Sequence, residues 1–372
     1  MKLLMLAPAS VIHTQRWVEA LHERGIQLVL ATQHDDASWQ APAGVKVVRL
    51  PHRGTAGYFL NVPALRRLLR DERPDLLNAH YASGYGTMAA LSDFQPWLLS
   101  VWGSDVYDFP DEGRLKGWLL RRNLRHADAV ASTSEAMAQQ VRRLVPAIGP
   151  IAITPFGIDT DRFAPQPQPQ PHEGIVIGTV KTLAPKYGID PLLRAFAQVL
   201  SVAAPRTVLS LVIVGDGPQR AELEALSRAL GIGAHVRFVG AVPHAEVPQW
   251  LNRFDLYVAA SRLDSESFGV AVLEASACGL PVVVSDVGGL PEVVVQGETG
   301  CVVAREDVTA LAQAIQRLVA APELRRRFGA AGRERVLAHY GWPYSVDAML
   351  CCFDEVVACH AQRPAVSAGV AR

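Results

Sequence analysis

Short apolar, β-rich runs alternate along the first part of the chain with stretches whose apolar residues recur every three or four positions. Lys2 to Pro8 is such a run, Thr14 to Arg24 the helical stretch behind it, and Leu28 to Thr32 the next run. The alternation returns at Asp75 to His80 followed by Tyr85 to Leu91, and continues through Trp97 to Val101, Ala129 to Thr133 and Ile151 to Thr154. Apolar runs of strand length separated by helical periods predict parallel βαβ units.

The pattern stops at Pro165-Gln-Pro-Gln-Pro-Gln-Pro171, an alternating proline tract that favours polyproline II and joins neither sheet nor helix. It restarts with Ile175 to Val180, Pro191 to Leu200, Val208 to Val214, Gln219 to Leu230, Leu256 to Ala259, Val270 to Cys278 and Pro281 to Val284. Beyond Asp307 the period is helical to about Ala361, with a break at Gly341-Trp342-Pro343. The expected organisation is an N-terminal Rossmann-like domain over 1–164, a proline-rich linker over 165–174, a second Rossmann-like domain over 175–340, and a helical tail over 341–372 that crosses back to the first domain. Open α/β sheets bind ligands beyond the carboxyl ends of their strands, so two facing domains of this class predict sites along an interdomain cleft.

Charge and cysteine content narrow the chemistry. The 372 residues carry 36 Lys+Arg and 36 Asp+Glu, a formal net charge of zero, so no global field draws the chain onto nucleic acid and any anion site is local. Five cysteines without a CxxC spacing suggest neither a disulfide framework nor a zinc site. Cys351, Cys352, Cys359 and His360 read as a late amphipathic helix with small buried thiols, and no metal is expected. The opening MKLLMLAPAS is too short for a secretory signal and reads as a first strand. No apolar run is long enough to span a bilayer, and a cytoplasmic setting is expected.

Three loops carry candidate chemistry. The first runs from Ser261 to Pro281, follows the strand Leu256 to Ala259 and opens a helix. Ser267 suits the N-cap, which would leave the amides of Phe268, Gly269 and Val270 for an anion such as phosphate. Glu266 stands before that helix and Glu274 about two turns inside it, so their carboxylates, about 8 to 12 Å apart by helical rise, can hold two parts of one ligand. A solvated face is the plain alternative. The second loop, Gly178 to Pro191, places Lys181 and Lys186 where two point charges could neutralise a diphosphate, with Asp190 as a cap before Pro191. Two surface lysines would look the same. The third, Val214-Gly215-Asp216-Gly217-Pro218, is a strand–turn–helix junction in which Asp216 could simply cap a helix starting at Pro218.

Taken together these motifs resemble glycosyltransferase family 4, whose GT-B fold has two facing Rossmann-like domains. The resemblance spans nearly the whole chain and rests on Glu266 and Glu274 within ESFGVAVLEASACGLPVV, SDVGGLPEVV with Gly288, Gly289 and Glu292, GETGCVV, PFGIDTDRF, VIVGDGP and GTVKTLAPKYGID. It implies a retaining, nucleotide-sugar-dependent glycosyltransferase that needs no divalent metal and no cofactor. Glu274 would bind the ribose, Glu266 the donor sugar, the amides at Phe268 to Val270 sugar or phosphate, and Lys181 and Lys186 the diphosphate. Ser267, Gly215 and Asp216 complete the implied donor site. A UDP-sugar is favoured over a GDP-sugar, and the acceptor is a hydroxyl of a glycan or lipid-linked glycan, as in lipopolysaccharide or exopolysaccharide assembly.

Lys181 replaces the family's usual Arg, keeping charge but losing the bidentate fork. Further departures lie in the first domain. The loop after the first strand lacks the glycine pair many relatives carry, and Trp102 occupies a segment where many have a histidine. His13, Arg16, His80 and Asp105 are the acceptor-side candidates, since each follows or ends a strand. Gly113 to His126 sets Arg114, Lys116, Arg121, Arg122 and Arg125 beside Trp118, Leu119, Leu120 and Leu124, which suits either an ordinary covering helix or a peripheral contact with anionic lipid at the inner membrane face. A GT-B-like nucleotide-sugar epimerase and a non-catalytic nucleotide-sugar-binding subunit are the competing readings. A dehydrogenase is disfavoured, because Leu6 to Arg16 contains no glycine for a GxGxxG turn.

Overall fold

The computed structural model describes residues 1–166, 173–204 and 207–362. It comprises two doubly wound α/β units, one formed by Met1–Thr154 with the segment from Ser345 onward, the other by Pro155–Tyr344. Residues 167–172, most of the proline tract expected as a linker, lie outside the described residues. The stretch before it packs within the second unit, ten residues earlier than the expected boundary at 164. Phe156 meets the Phe268 ring at 5.9 Å, Ile158 forms a β-bridge with Gly341, and a Cβ on Gly157 would lie 2.5 Å from the Trp342 indole.

In the first unit β1 (Lys2–Leu6), β2 (Gln27–Thr32), β3 (Lys46–Arg49), β4 (Leu76–His80), β5 (Trp97–Val101), β6 (Ala129–Ser132) and β7 (Ile151–Ile153) form a parallel sheet in the order β3-β2-β1-β4-β5-β6-β7. Helices cover both faces of such a sheet, which is why β1 and β4 are buried almost throughout. Asn78, wholly buried in mid-β4, is tolerated because its amide donates to Leu98 O at 3.2 Å and Ser100 Oγ at 2.9 Å. The edge strand β3 escaped the sequence reading. Lys46 and Arg49 are exposed at its ends, so it shows no continuous apolar run.

The second unit repeats the plan with β8 (Ile175–Val180), β9 (Leu209–Val214), β10 (Val236–Gly240), β11 (Leu256–Ala259), β12 (Val282–Ser285) and β13 (Gly300–Val303), in the order β10-β9-β8-β11-β12-β13. Strands β10 and β13 were not read as strands. Both are sheet edges, and β13 begins at a glycine whose missing side chain lets Val282 O approach, since a Cβ there would lie 2.3 Å from it. The helix Val270–Ala277 is buried on nearly every side. Helix Pro322–His339 presses against its C-terminal turn, where a Cβ on Gly329 would lie 1.9 Å from Gly279 O and Arg333 donates to Ala277 O. In the final helix Trp342–Ala361 Cys352 is buried, but Cys351 and Cys359 are exposed, so only one of its three thiols is packed as expected. Among the described residues no helix is long and apolar enough to cross a membrane.

Both strand orders reverse direction once, between β1 and β4 and between β8 and β11. At such a switch point the connecting loops diverge and leave a crevice beyond the strand ends. In the first unit the strand end carries His80, the turn behind it Tyr81, and the helix that follows β1 carries His13. In the second the loops there carry Lys181, Lys186 and Glu266.

Candidate functional site

Lys181 leaves the end of β8 and is held by its neighbour turn. Gly215, at φ 138°, donates to Gly240 O at 2.8 Å, and a Cβ on it would lie 1.9 Å from Lys181 O. Leu183 N–H donates to Asp216 O at 3.0 Å. Gly215 and Gly217 therefore shape the lysine loop by letting backbone approach backbone. Asp216 does not cap a helix at Pro218, because the helix begins at Arg220. Its carboxylate accepts from Gly217 N–H at 2.8 Å and from Arg220 at 3.0 Å, and these bonds hold it below the usual carboxylate range.

The far end of the loop rests on β11. Gly188 stands at φ 60°, and a Cβ there would lie 1.9 Å from Ala260 O. Arg262, which sequence reasoning passed over, staples the two segments: its N–H donates to Lys186 O at 2.8 Å and its guanidinium pairs with Asp190 at 2.5 Å and Glu306 at 3.1 Å. Asp190 is thus not the cap expected before Pro191. It lies inside the first turn of helix Ile189–Val202 and serves the ion pair, with Gly188 in the capping position.

Between these supports Lys181 Nζ meets Glu266 Oε1 at 2.7 Å, with side-chain exposures of 12% and 9%. Tyr187 lies beneath both cations, its ring centroid 4.9 Å from Lys181 Nζ and 5.5 Å from Lys186 Nζ, while Lys186 donates to Ser265 O at 2.8 Å. Burial is the largest single influence on Lys181 and would lower its pKa, but the charge and hydrogen bond of Glu266 together with the Tyr257 and Tyr187 phenols outweigh it, and the ammonium is held above its ordinary value. The adjacent Tyr257 phenol is pushed up by burial to about 12, stays neutral and donates to Val180 O at 3.3 Å. Gly288 and Gly289 close the back of the Glu266 loop: Cβ atoms there would lie 2.2 Å from Glu266 O and 2.3 Å from Ser267 O.

Helix Val270–Ala277 starts two residues later than a Ser267 cap requires. Gly269, left-handed at φ 96°, occupies the N-cap without a side-chain bond, and Val272 and Leu273 N–H both turn back to its carbonyl. The amide of Phe268 therefore lies outside the helix, and the first-turn amides without an intrahelical acceptor begin at Val270. Phe268 is a packing residue, 6.0 Å from the Tyr340 ring. Glu274, in mid-helix, is only 5% exposed, which removes the solvated alternative. Its Oε1 lies 2.8 Å from His244 Nε2, a partner 30 residues earlier on the loop after β10. Nothing in the period of the sequence marks His244. Burial, followed by the charge of Glu274, pushes the Cys278 thiol up to about 12.

The first-unit candidates gather around Trp102, a half-buried residue. The indole meets His80 at 4.7 Å, Tyr81 at 4.9 Å and His13 at 6.0 Å, all edge to face. Tyr81 holds a positive φ of 70° at the end of β4. His80 is wholly buried, with Nε2 2.6 Å from Asn78 Oδ1; Asn78 spends its own N–H groups elsewhere, so the imidazole donates here, and burial pushes its pKa down to about 3. Asp105 is committed to backbone. It is buried and accepts from Ala82, Trp102 and Gly103 N–H at 2.7, 3.1 and 2.8 Å, which clamps the turns after β4 and β5 together. Burial raises its carboxyl more than these amides lower it. Arg16 is half-buried on the helix that carries His13.

The second unit matches the family model described as "Glycosyl transferases group 1" over residues 161–335, and the first matches "Glycosyl transferase 4-like" over residues 2–134. A GDP-mannose-dependent alpha-(1-6)-phosphatidylinositol monomannoside mannosyltransferase of Mycobacterium tuberculosis is 34% identical over 337 residues, covering 84% of this chain and 83% of that protein. The Mycolicibacterium smegmatis protein of the same description is 36% identical over 239 residues, covering 60% of this chain and 61% of that protein. Among solved structures, a sucrose-phosphate synthase from Thermosynechococcus elongatus superposes with a TM-score of 0.81 over 96% of this chain and all (100%) of that one, at 24% identity. The Anabaena HepE protein in complex with UDP gives 0.78 over 95% and 100%, at 18% identity. At these identities the structural likeness is one of fold.

Two outcomes test this geometry. Lys181→Met strands the Glu266 carboxylate and is expected to cost about 3 kcal/mol in urea denaturation, most of it recovered when Glu266→Gln is added; equal stability of the single and double variants would show that the pair is not coupled. His80 has a folded pKa depressed to about 3 from an ordinary 6.5, so the unfolded chain binds more protons between those values and stability is lost as pH falls. The stability advantage of wild type over His80→Asn is expected to shrink by up to about 1.4 kcal/mol per pH unit below 6.5. An advantage that stays constant from about pH 7 to 4 would place the protonation elsewhere.

Proposed function

The chain belongs to glycosyltransferase family 4, and from that membership we propose that it moves a mannosyl unit from GDP-mannose, with retention, to a hydroxyl of a lipid-linked glycan in cell-surface glycan assembly. The observation that carries the donor reading is Glu274, a carboxylate buried in a largely apolar helix that opens at Val270, shortly after Glu266 of the Lys181–Glu266 pair, behind β11 of the β8/β11 switch point. A buried carboxylate with one protein donor retains acceptor capacity for the hydroxyls of a ribose. The relatives' GDP-mannose dependence supports a guanine nucleotide over the UDP-sugar that the motifs favoured, and the phosphatidylinositol monomannoside in their descriptions supports a lipid-linked acceptor here.

In the proposed reaction the diphosphate gains charge as it leaves. Lys181 carries three N–H donors, so it can keep Glu266 oriented toward the sugar and still meet the leaving group. Lys186 and the first-turn amides of helix Val270–Ala277 supply further fixed positive potential, and stabilisation of this kind needs no divalent ion. Attack on the same face as departure would retain configuration without a carboxylate nucleophile. Membrane access has support in helix Arg114–His126, where Leu115 is 76% and Trp118 57% exposed beside the exposed Arg114 and Arg125.

Purified protein incubated with GDP-mannose and a panel of UDP-sugars, plus a lipid-linked acceptor, is expected to release GDP, give an α-linked product and resist EDTA. Epimerised donor would make the chain an isomerase, and tight nucleotide binding without turnover a binding subunit. Glu274→Ala is expected to weaken GDP binding by about 1 to 3 kcal/mol in calorimetry; unchanged affinity would remove Glu274 from the donor site. Cosedimentation with phosphatidylglycerol vesicles is expected to fall about tenfold in Trp118→Ala and in high salt. Equal binding to neutral phosphatidylcholine vesicles would overturn the charge-assisted contact.

A further inference from the structure

The pair between His244 and Glu274 joins two elements that the sequence keeps 30 residues apart. Glu274 stands on the buried helix Val270–Ala277, and His244 on a 3₁₀ turn, His244–Glu246, in the loop after the edge strand β10. Glu274 is only 5% exposed and its side chain has rotamers to lose, so an unrestrained carboxylate would have to be ordered when a ligand arrives. At 2.8 Å from Glu274 Oε1, His244 Nε2 is the donor, because an ionised carboxylate only accepts. The imidazole is itself oriented: the Phe163 ring packs edge to face against it with centroids 5.4 Å apart. Phe163 in turn is wholly buried, and its carbonyl accepts from Arg333 at 3.2 Å, the same guanidinium that binds Ala277 O at the end of the Glu274 helix. Arg333, Phe163, His244 and Glu274 thus close a ring of contacts around the carboxylate.

We propose that His244 is a positioning residue for nucleotide recognition, holding one oxygen of Glu274 so that the other presents a fixed acceptor to the ribose hydroxyls of the donor. The inference rests on the assignment of Glu274 to the ribose. His244 side-chain exposure of 33% lets it face the ligand side while its ring edge stays packed. Pre-orientation of this kind raises affinity by removing an ordering cost at binding, and it does so only for ligands that use the oriented oxygen. The effect must therefore depend on the ribose hydroxyls.

The test is calorimetric binding of GDP, 2′-deoxy-GDP and 3′-deoxy-GDP to the full chain as wild type, His244→Ala and His244→Gln, with urea midpoints measured alongside to confirm folding. Wild type is expected to prefer GDP over the weaker deoxy analogue by about tenfold. His244→Ala should lose about that factor for GDP but little for the deoxy analogue, so the preference collapses. His244→Gln, whose amide reaches about as far as Nε2, should restore the preference to within about threefold. An unchanged preference in His244→Ala, or an equal loss for all three nucleotides, would reduce His244 to a packing residue. Tighter GDP binding by His244→Ala would make it an occluding residue and overturn the proposal. Absence of any deoxy penalty in wild type would instead remove the ribose assignment of Glu274, a distinct failure from the other two.

Discussion

All strands of both sheets run parallel, and a parallel sheet must carry its connecting helices on both faces. The interior is then largely apolar on either side of the sheet, and polar groups gather toward the strand ends, buried Asn78 and Glu274 keeping hydrogen-bond partners. The switch points between β1 and β4 and between β8 and β11 are where the loops beyond those ends part. Backbone must nevertheless pass close to backbone there, which explains the glycines. Gly188, Gly215 and Gly288 each leave room for a carbonyl that any side chain would strike, and all three sit at positive φ.

Within that frame the two units handle polarity differently. The second buries charge and pairs it: Lys181 with Glu266, and Glu274 with a histidine donor. An unpaired charge so placed would incur a desolvation cost of several kcal/mol, so the pairing is what allows ionised groups to persist at low exposure. The first unit suppresses charge instead. Burial keeps the His80 imidazole neutral, Asp105 is consumed by three backbone amides, and the surroundings of Trp102 are aromatic. One cluster carries paired charges, the other presents ring faces and edges.

Much of the second unit's charged cluster was legible because its motifs are local. Lys181, Lys186 and Glu266 each follow a strand that its apolar run announces, and the structure brings them around Tyr187. The capping assignments failed. Ser267, Asp190 and Asp216 have the chemistry of caps, but left-handed Gly269 and Gly188 hold the first two capping positions, and the third helix starts later, behind Gln219. Edge strands β3 and β10 were missed because a strand covered on one side shows no continuous apolar run. Asp105 was placed correctly after a strand, yet only the fold reveals that its carboxylate faces backbone amides.

The sequence by itself determined what depends on short range: the βα alternation, the glycine turns, the position of each motif behind its strand, and family membership through their combination. The tertiary structure alone decided which groups meet. His244 and Glu274 lie 30 residues apart, Lys181 and Glu266 lie 85, and no periodicity encodes either distance. Burial was likewise undecided, since Glu274 is as charged in sequence as any surface glutamate. It is buried on a helix that another helix covers through Gly279, Gly329 and Arg333. Hydrogen bonds and desolvation act through space, and the chain reveals them only once it has folded.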